Sequence, residues 1–172
     1  VVINARSNWW GSAEAALIAQ TIYDNTDNPN NLPVVDYGNW WISSVGPALS
    51  GLFVQGQLAS NQVWRAADSP VRVLTHFQVA SNATLRIEPG VSVLFMGAFR
   101  FETYGALAAA GAADRPITFT SGFEGPWPGD WIGLQFKDSS DDATCLLSNV
   151  VVEYARTGID CASASPSIVS SR

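Results

Sequence analysis

Ala83-Thr84-Leu85-Arg86-Ile87-Glu88-Pro89-Gly90-Val91-Ser92-Val93-Leu94-Phe95 is the stretch whose reading decides the fold. Two runs of alternating apolar and polar residues flank Pro89-Gly90, a turn dipeptide, so the stretch reads as strand, turn, strand. The same pattern recurs downstream in Pro116 to Ser121, Gly129 to Phe136, Asn149 to Ala155, Gly158 to Cys161 and Pro166 to Ser171, short alternating runs bounded by Gly, Pro, Asn, Asp or Ser. A register links them. Gly133-Leu134-Gln135-Phe136 aligns with Gly158-Ile159-Asp160-Cys161 at a spacing of 25, and Leu147 with Ile168 at 21. Spacings in the low twenties are what one turn of a three-faced parallel β-helix needs. The expected fold is therefore all-β, a parallel β-helix solenoid. Leu134, Phe136, Ile159 and Cys161 then point inward, and Gln135 and Asp160 point out.

Three parts are expected along the chain. Residues 1–41 open with a short strand from Val1 to Ala5 and the cluster Asn8-Trp9-Trp10-Gly11. Ser12 is placed to cap a helix carrying Ala15, Ile18 and Ile22 on one face to about Asp24, with Glu14 in its first turn, before the turn formers Asn25 to Asn31. Residues 42–68 have weak periodicity and read as a linker or wrapping segment. Residues 69–172 carry the coils.

Composition narrows the class. The chain has 172 residues, is 47% hydrophobic and only 14% charged, against a usual charged share of roughly 25%. A sparsely charged, Gly/Ser/Asn-rich, strand-dense chain suits a secreted, extracellular β-protein. The net charge of −6 makes nucleic acid and anionic membranes poor partners. No apolar run approaches the ~20 residues of a membrane-spanning helix. Neither an initiator Met nor a charged, then apolar, leader opens the chain, which reads as a mature form or an excised fragment. Cys145 and Cys161 leave two readings: a disulfide closing a loop of about 16 residues, stabilising by roughly 3 kcal/mol, or two inward-facing free thiols.

The segments Ser69 to Val73, Ala83 to Phe95, Gly105 to Gly111, Pro116 to Ser121 and Pro128 to Gly133 resemble the opening coils of the right-handed parallel β-helix, or pectate-lyase-like, superfamily. Asn8-Trp9-Trp10-Gly11, followed by a helix and an Asp/Asn-rich turn, resembles the segment that closes such a fold. The order here is inverted, closing signature first. This implies that the N-terminal segment, through Val2, Ile3, Trp9, Trp10, Ile18 and Ile22, covers the open end of another copy in an exchanged homo-oligomer. A fold-back across its own chain and a junction between two β-helix domains of a larger protein are the alternatives.

The resemblance also frames the chemistry. Enzymes of this fold act on acidic polysaccharides along one outer face, the lyases with Ca2+ and the hydrolases with paired Asp residues. Asp138, Asp141 and Asp142 form the best acidic cluster, as candidate Ca2+ ligands or a carboxylate pair. A solvated turn is the favoured reading, because the hydrolase and lyase signatures are missing around them. His76, the single histidine, reads as structural. Of seven Trp residues, Trp127 sits between Gly125-Pro126 and Pro128-Gly129, where an exposed ring would stack on a sugar. Arg156, after Tyr154-Ala155, is a separate candidate for contact with an acidic glycan, with Tyr154 beside it, while Trp9 and Trp131 read as structural. The expected function is an extracellular, non-catalytic carbohydrate-binding or scaffold module of a larger polysaccharide-active protein. The alternative is a polysaccharide lyase or glycoside hydrolase acting on an acidic plant or algal polysaccharide.

Overall fold

The computed structural model describes residues 2–6, 8–24, 33–38 and 50–172. The turn expected over Asn25 to Asn31, Trp40 and Trp41, the boundary near residue 41 and the start of the expected linker lie outside them.

The downstream strands are β3 (Leu52–Leu58), β4 (Gln62–Trp64), β5 (Val71–Val79), β6 (Thr84–Ile87), β7 (Ser92–Phe95), β8 (Arg100–Thr103), β9 (Ala106–Ala110), β10 (Ile117–Ser121), β11 (Gly133–Phe136), β12 (Leu146–Ser148), β13 (Val150–Val152), β14 (Ile159–Cys161) and β15 (Ser167–Val169). Every pairing between them is parallel, so each strand hydrogen-bonds to one that lies a long connection away. They form an eight-stranded and a five-stranded sheet. The eight-stranded sheet curls. Its long strand β5 pairs with β7 through Val71–Val73 and with β8 through Phe77–Val79, so one strand serves two ladders. The chain thus visits three ladders in rotation. The first contains β7, β10 and β13, the second β8, β11 and β14, and the third β4, β6, β9, β12 and β15, with β3 and β5 spanning the first two.

The registers expected from sequence are those observed: Leu134 pairs with Ile159, and Leu147 with Ile168. The step is not uniform. In the third ladder it runs 23 from Trp64 to Ile87, 22 to Ala109, 38 to Leu147 and 21 to Ile168. The long step arises where the chain makes two excursions, 122–132 before β11 and 137–145 before β12. Both loops proposed from sequence to carry chemistry are these excursions.

Alternation sends one residue in two to an apolar interior. Val71, Val93 and Phe119 stack from the first ladder, Phe77, Phe101 and Leu134 from the second, and Ile87, Ala109 and Leu147 from the third, all buried. Trp64, Phe77, Phe101 and Phe119 form a ring column, with successive centroids 5.5, 5.1 and 6.0 Å apart. Such tilted and edge-on pairs add about 0.5–1.5 kcal/mol each beyond the area they bury.

The expected linker needs correction. Residues 52–64 supply β3 and β4, the first circuit of the stack, with Trp64 buried in its core. Cys161 is also corrected. It is in register with buried Phe136 yet exposed, because among the described residues no strand pairs beyond β14. Neither cysteine is in a disulfide. Burial holds both thiols above their ordinary pKa, and Asp142 adds to the shift at each.

The N-terminal elements are β1 (Val2–Asn4) and β2 (Val34–Asp36), paired in parallel, and α1 (Ala15–Thr21). Glu14 stands at the helix N-cap without a side-chain cap bond. Ser12 is too early to cap, and its hydroxyl accepts the Glu14 N–H instead. Ala15 and Ile18 are fully buried on the outside of the stack against Tyr37, Phe53, Leu74 and Met96, with Trp10, Ile22, Val35 and Leu94 around them. The helix face read from sequence is therefore buried, and its counterpart lies within the same chain. Val2, Ile3 and Trp9 remain exposed.

Candidate functional site

The excursion 122–132 begins where β10 ends, and its geometry follows from a short polar code. Gly125 and Gly129 adopt φ of +70° and +99° with open space around them, which lets the loop reverse without strain. Asp130 then fixes the loop. Its Oδ2 accepts hydrogen bonds from the Ser121 hydroxyl at 2.6 Å and from the Trp127 N–H at 3.0 Å. The Asp130 N–H returns a bond to the Trp127 carbonyl at 3.2 Å. The Trp127 backbone is thus held at both its amide and its carbonyl, while its side chain is 75% exposed. A large apolar ring on an anchored backbone loses little freedom on binding, which favours stacking on a ligand.

A second loop is pinned against this one. Gly129 N–H donates to the Tyr154 carbonyl at 3.0 Å, and Arg156 N–H donates to the Trp131 carbonyl at 2.8 Å. Trp131 provides the rigid base. It is fully buried, lies parallel to Phe95 at a centroid distance of 3.8 Å, and donates its indole N–H to the Glu153 carbonyl at 2.9 Å. Thr120 donates to the Glu153 carboxylate at 3.0 Å. Tyr154 sits at φ +59°, half-buried, and Arg156 is exposed. Trp127 and the pair Tyr154 and Arg156 stand in separate segments of the sequence. The structure brings their two loops side by side through backbone bonds.

The acidic loop 137–145 is different. Asp141 accepts from the Ala143 N–H at 3.1 Å and from the Thr144 hydroxyl at 2.7 Å, ordinary turn duties. Asp142 accepts the Ser165 N–H at 2.8 Å, tying one circuit to the next, and Asp138 is exposed. Among the described residues no group of three or more His, Cys, Asp or Glu side chains is placed to hold a metal ion. The carboxylates of Asp141 and Asp142 thus serve as acceptors for backbone and hydroxyl groups of this loop and of the next circuit.

His76 lies on the outer side of β5, edge-on to Phe99 at 5.8 Å, and its Nδ1 accepts the Arg100 N–H at 3.3 Å. Desolvation and then the Arg100 charge lower its pKa, against a smaller pull upward from Glu102. The imidazole is therefore neutral at physiological pH, with its proton on Nε2. Sequence reading missed the roles of Asp130, Ser121 and Glu153. The spacing Trp127-x-x-Asp130 was the available signal, because an Asp placed to accept backbone N–H groups is a turn-fixing residue.

No protein-family model matches the chain, and neither the curated proteins nor the solved structures contain a match to it.

Proposed function

We propose that the stack is a right-handed parallel β-helix of pectate-lyase-like type, and that the chain is an extracellular, non-catalytic module that binds carbohydrate at the Trp127 loop. The observation that carries this reading is the exposed Trp127 ring on a loop clamped by Asp130 and braced on the Tyr154–Arg156 turn. A sugar ring offers an apolar face of C–H groups with hydroxyls at its rim, so one aromatic platform beside a phenol and a guanidinium suits it.

Self-association belongs to the same reading. The large hydrophobics exposed among the described residues are Val2, Ile3, Trp9, Leu17 and Tyr23 on the N-terminal unit, Ile168 and Val169 on β15, and Trp127. Apart from Trp127, they sit at the two places where a second copy would join.

Affinity gel electrophoresis of the intact chain in xylan, alginate and polygalacturonate, with product analysis, tests the reading. Retardation without new reducing ends is expected. Trp127→Ala should weaken it about tenfold or more, the equivalent of ~1.4 kcal/mol, without lowering the melting temperature. Equal retardation of the variant, or released oligosaccharides, would contradict the proposal.

A further inference from the structure

We propose that the outer face of the second ladder carries an oxyanion-binding subsite, formed by Arg100, Lys137 and His76 and oriented by Glu102, that takes a carboxylate or sulfate group. It rests on the carbohydrate reading only for where such a group comes from.

The subsite is invisible in the sequence because its members come from three circuits. Register places Gln57, Gln78, Glu102, Gln135 and Asp160 in one outward row, one residue per strand, with strands about 4.8 Å apart. Arg100 lies two residues before Glu102 on the same outward side, and Lys137 follows the end of β11. Glu102 sits between them, its Oε1 3.0 Å from Lys137 Nζ and its Oε2 3.5 Å from Arg100 Nε. Lys137 also donates to Gln135 Oε1 at 3.2 Å, and Gln135 Nε2 donates to Asp160 Oδ2 at 3.4 Å. Asp160, the nearest further carboxylate in the row, keeps its negative charge and lies one strand beyond Gln135.

Charge and donor accounting point to an anion. One carboxylate faces two permanent cations, leaving one positive charge uncompensated within the triad. Glu102 meets the guanidinium on its Nε side, and Arg100 Nε is buried without a well-formed hydrogen bond. The two Nη groups of Arg100 have no hydrogen-bond partner among the described residues, and its side chain is 42% exposed. A guanidinium steered from behind, with its forked edge free, has the geometry that binds planar carboxylates and tetrahedral oxyanions in a bidentate manner. His76 adds a neutral donor. Its Nδ1 is committed to the Arg100 N–H, which leaves Nε2–H available. Asp24 lines a cavity together with His76, and its carboxylate accepts the Val35 N–H at 2.7 Å.

The test is calorimetric titration of the intact chain with sodium sulfate, trigalacturonate and neutral xylohexaose, on the native protein and on Arg100→Gln, Arg100→Lys, Lys137→Gln and Trp127→Ala. Thermal melts check that each variant is folded. Arg100→Gln should weaken sulfate and trigalacturonate tenfold or more and leave xylohexaose unchanged. Arg100→Lys should recover less than half of that loss, because an ammonium lacks the fork. Lys137→Gln, which leaves Arg100 in place, should weaken both anions roughly three- to tenfold. Sulfate binding as tightly as trigalacturonate would identify a free anion as the ligand, and a clear preference for trigalacturonate would identify an acidic glycan. If Trp127→Ala spares xylohexaose while Arg100→Gln loses sulfate, the platform reading fails and the oxyanion subsite stands. A folded Arg100→Gln or Lys137→Gln variant that binds both anions like the native chain would overturn the subsite.

Discussion

Replacing Trp131 with Ala is expected to destabilise the chain by about 3–5 kcal/mol, the range for deleting a large aromatic from a packed core. For a chain of this length that corresponds to a fall in melting temperature of roughly 6–20 °C. Three losses combine. The indole is fully buried, it forms a parallel stack with Phe95, and its N–H satisfies the Glu153 carbonyl. Removing it opens a cavity and leaves that carbonyl without its side-chain donor. Because Arg156 N–H bonds to the Trp131 carbonyl, the Tyr154–Arg156 turn should loosen as well. Trp127→Ala is the internal comparison, four residues away and exposed, with an expected change within about 0.5 kcal/mol. Urea unfolding of the two variants reads the difference directly, and similar midpoints would contradict the placement of the two rings.

The second large effect is expected at Gly133. Its φ of +135° is a conformation that side-chain-bearing residues rarely adopt, and a Cβ there would overlap the Thr157 carbonyl oxygen. That carbonyl belongs to the next circuit, where Leu134 and Ile159 pair. Gly133→Ala therefore combines backbone strain with overpacking between two strands, about 2–6 kcal/mol in all. Gly129→Ala separates the two causes. Gly129 also has a positive φ, yet nothing lies within 4 Å of its added Cβ, so only the conformational part, about 1–3 kcal/mol, should appear. Chemical denaturation of the pair measures the close approach of adjacent circuits.

These two positions also show what the sequence made legible. Gly133 stands at the head of the segment whose 25-residue register with Gly158 to Cys161 was readable, because the inward residues of both segments alternate without interruption. The first circuit was not readable. Leu52, Val54, Gly56 and Leu58 do alternate, but Phe53 on the opposite side is also apolar, because the N-terminal unit covers it. Phe53 on the outward side and Gly56 on the inward side leave only Val54-Gln55 and Gln57-Leu58 to carry the alternation, too short a run to mark a strand. The excursions at 122–132 and 137–145 hid the remaining registers, since a step of 38 looks like no repeat at all.

The candidate site divides in the same way. Trp127 was legible because Gly125-Pro126 and Pro128-Gly129 bracket it in a loop, whereas Trp131 stands at the entry to β11 and reaches the core. Trp9, read as covering the end of another copy, is exposed within the chain, whereas its neighbour Trp10 is half-buried beside α1. Nothing in two adjacent Trp residues reveals which one a later segment will cover. The ion pairs among Arg100, Glu102 and Lys137 depend on a 33-residue step between Thr103 and Phe136, which only the paired strands reveal.

The most direct test of the account is the indole region of a 15N–1H spectrum of the intact chain, titrated with xylohexaose and then with trigalacturonate. The account predicts that the Trp127 indole signal shifts progressively, with backbone signals of Gly129, Tyr154 and Arg156 following, while the Trp131 and Trp64 indoles stay fixed in the core. A Trp127 signal that does not move at millimolar oligosaccharide, or a response confined to the exposed residues of β15, would contradict it.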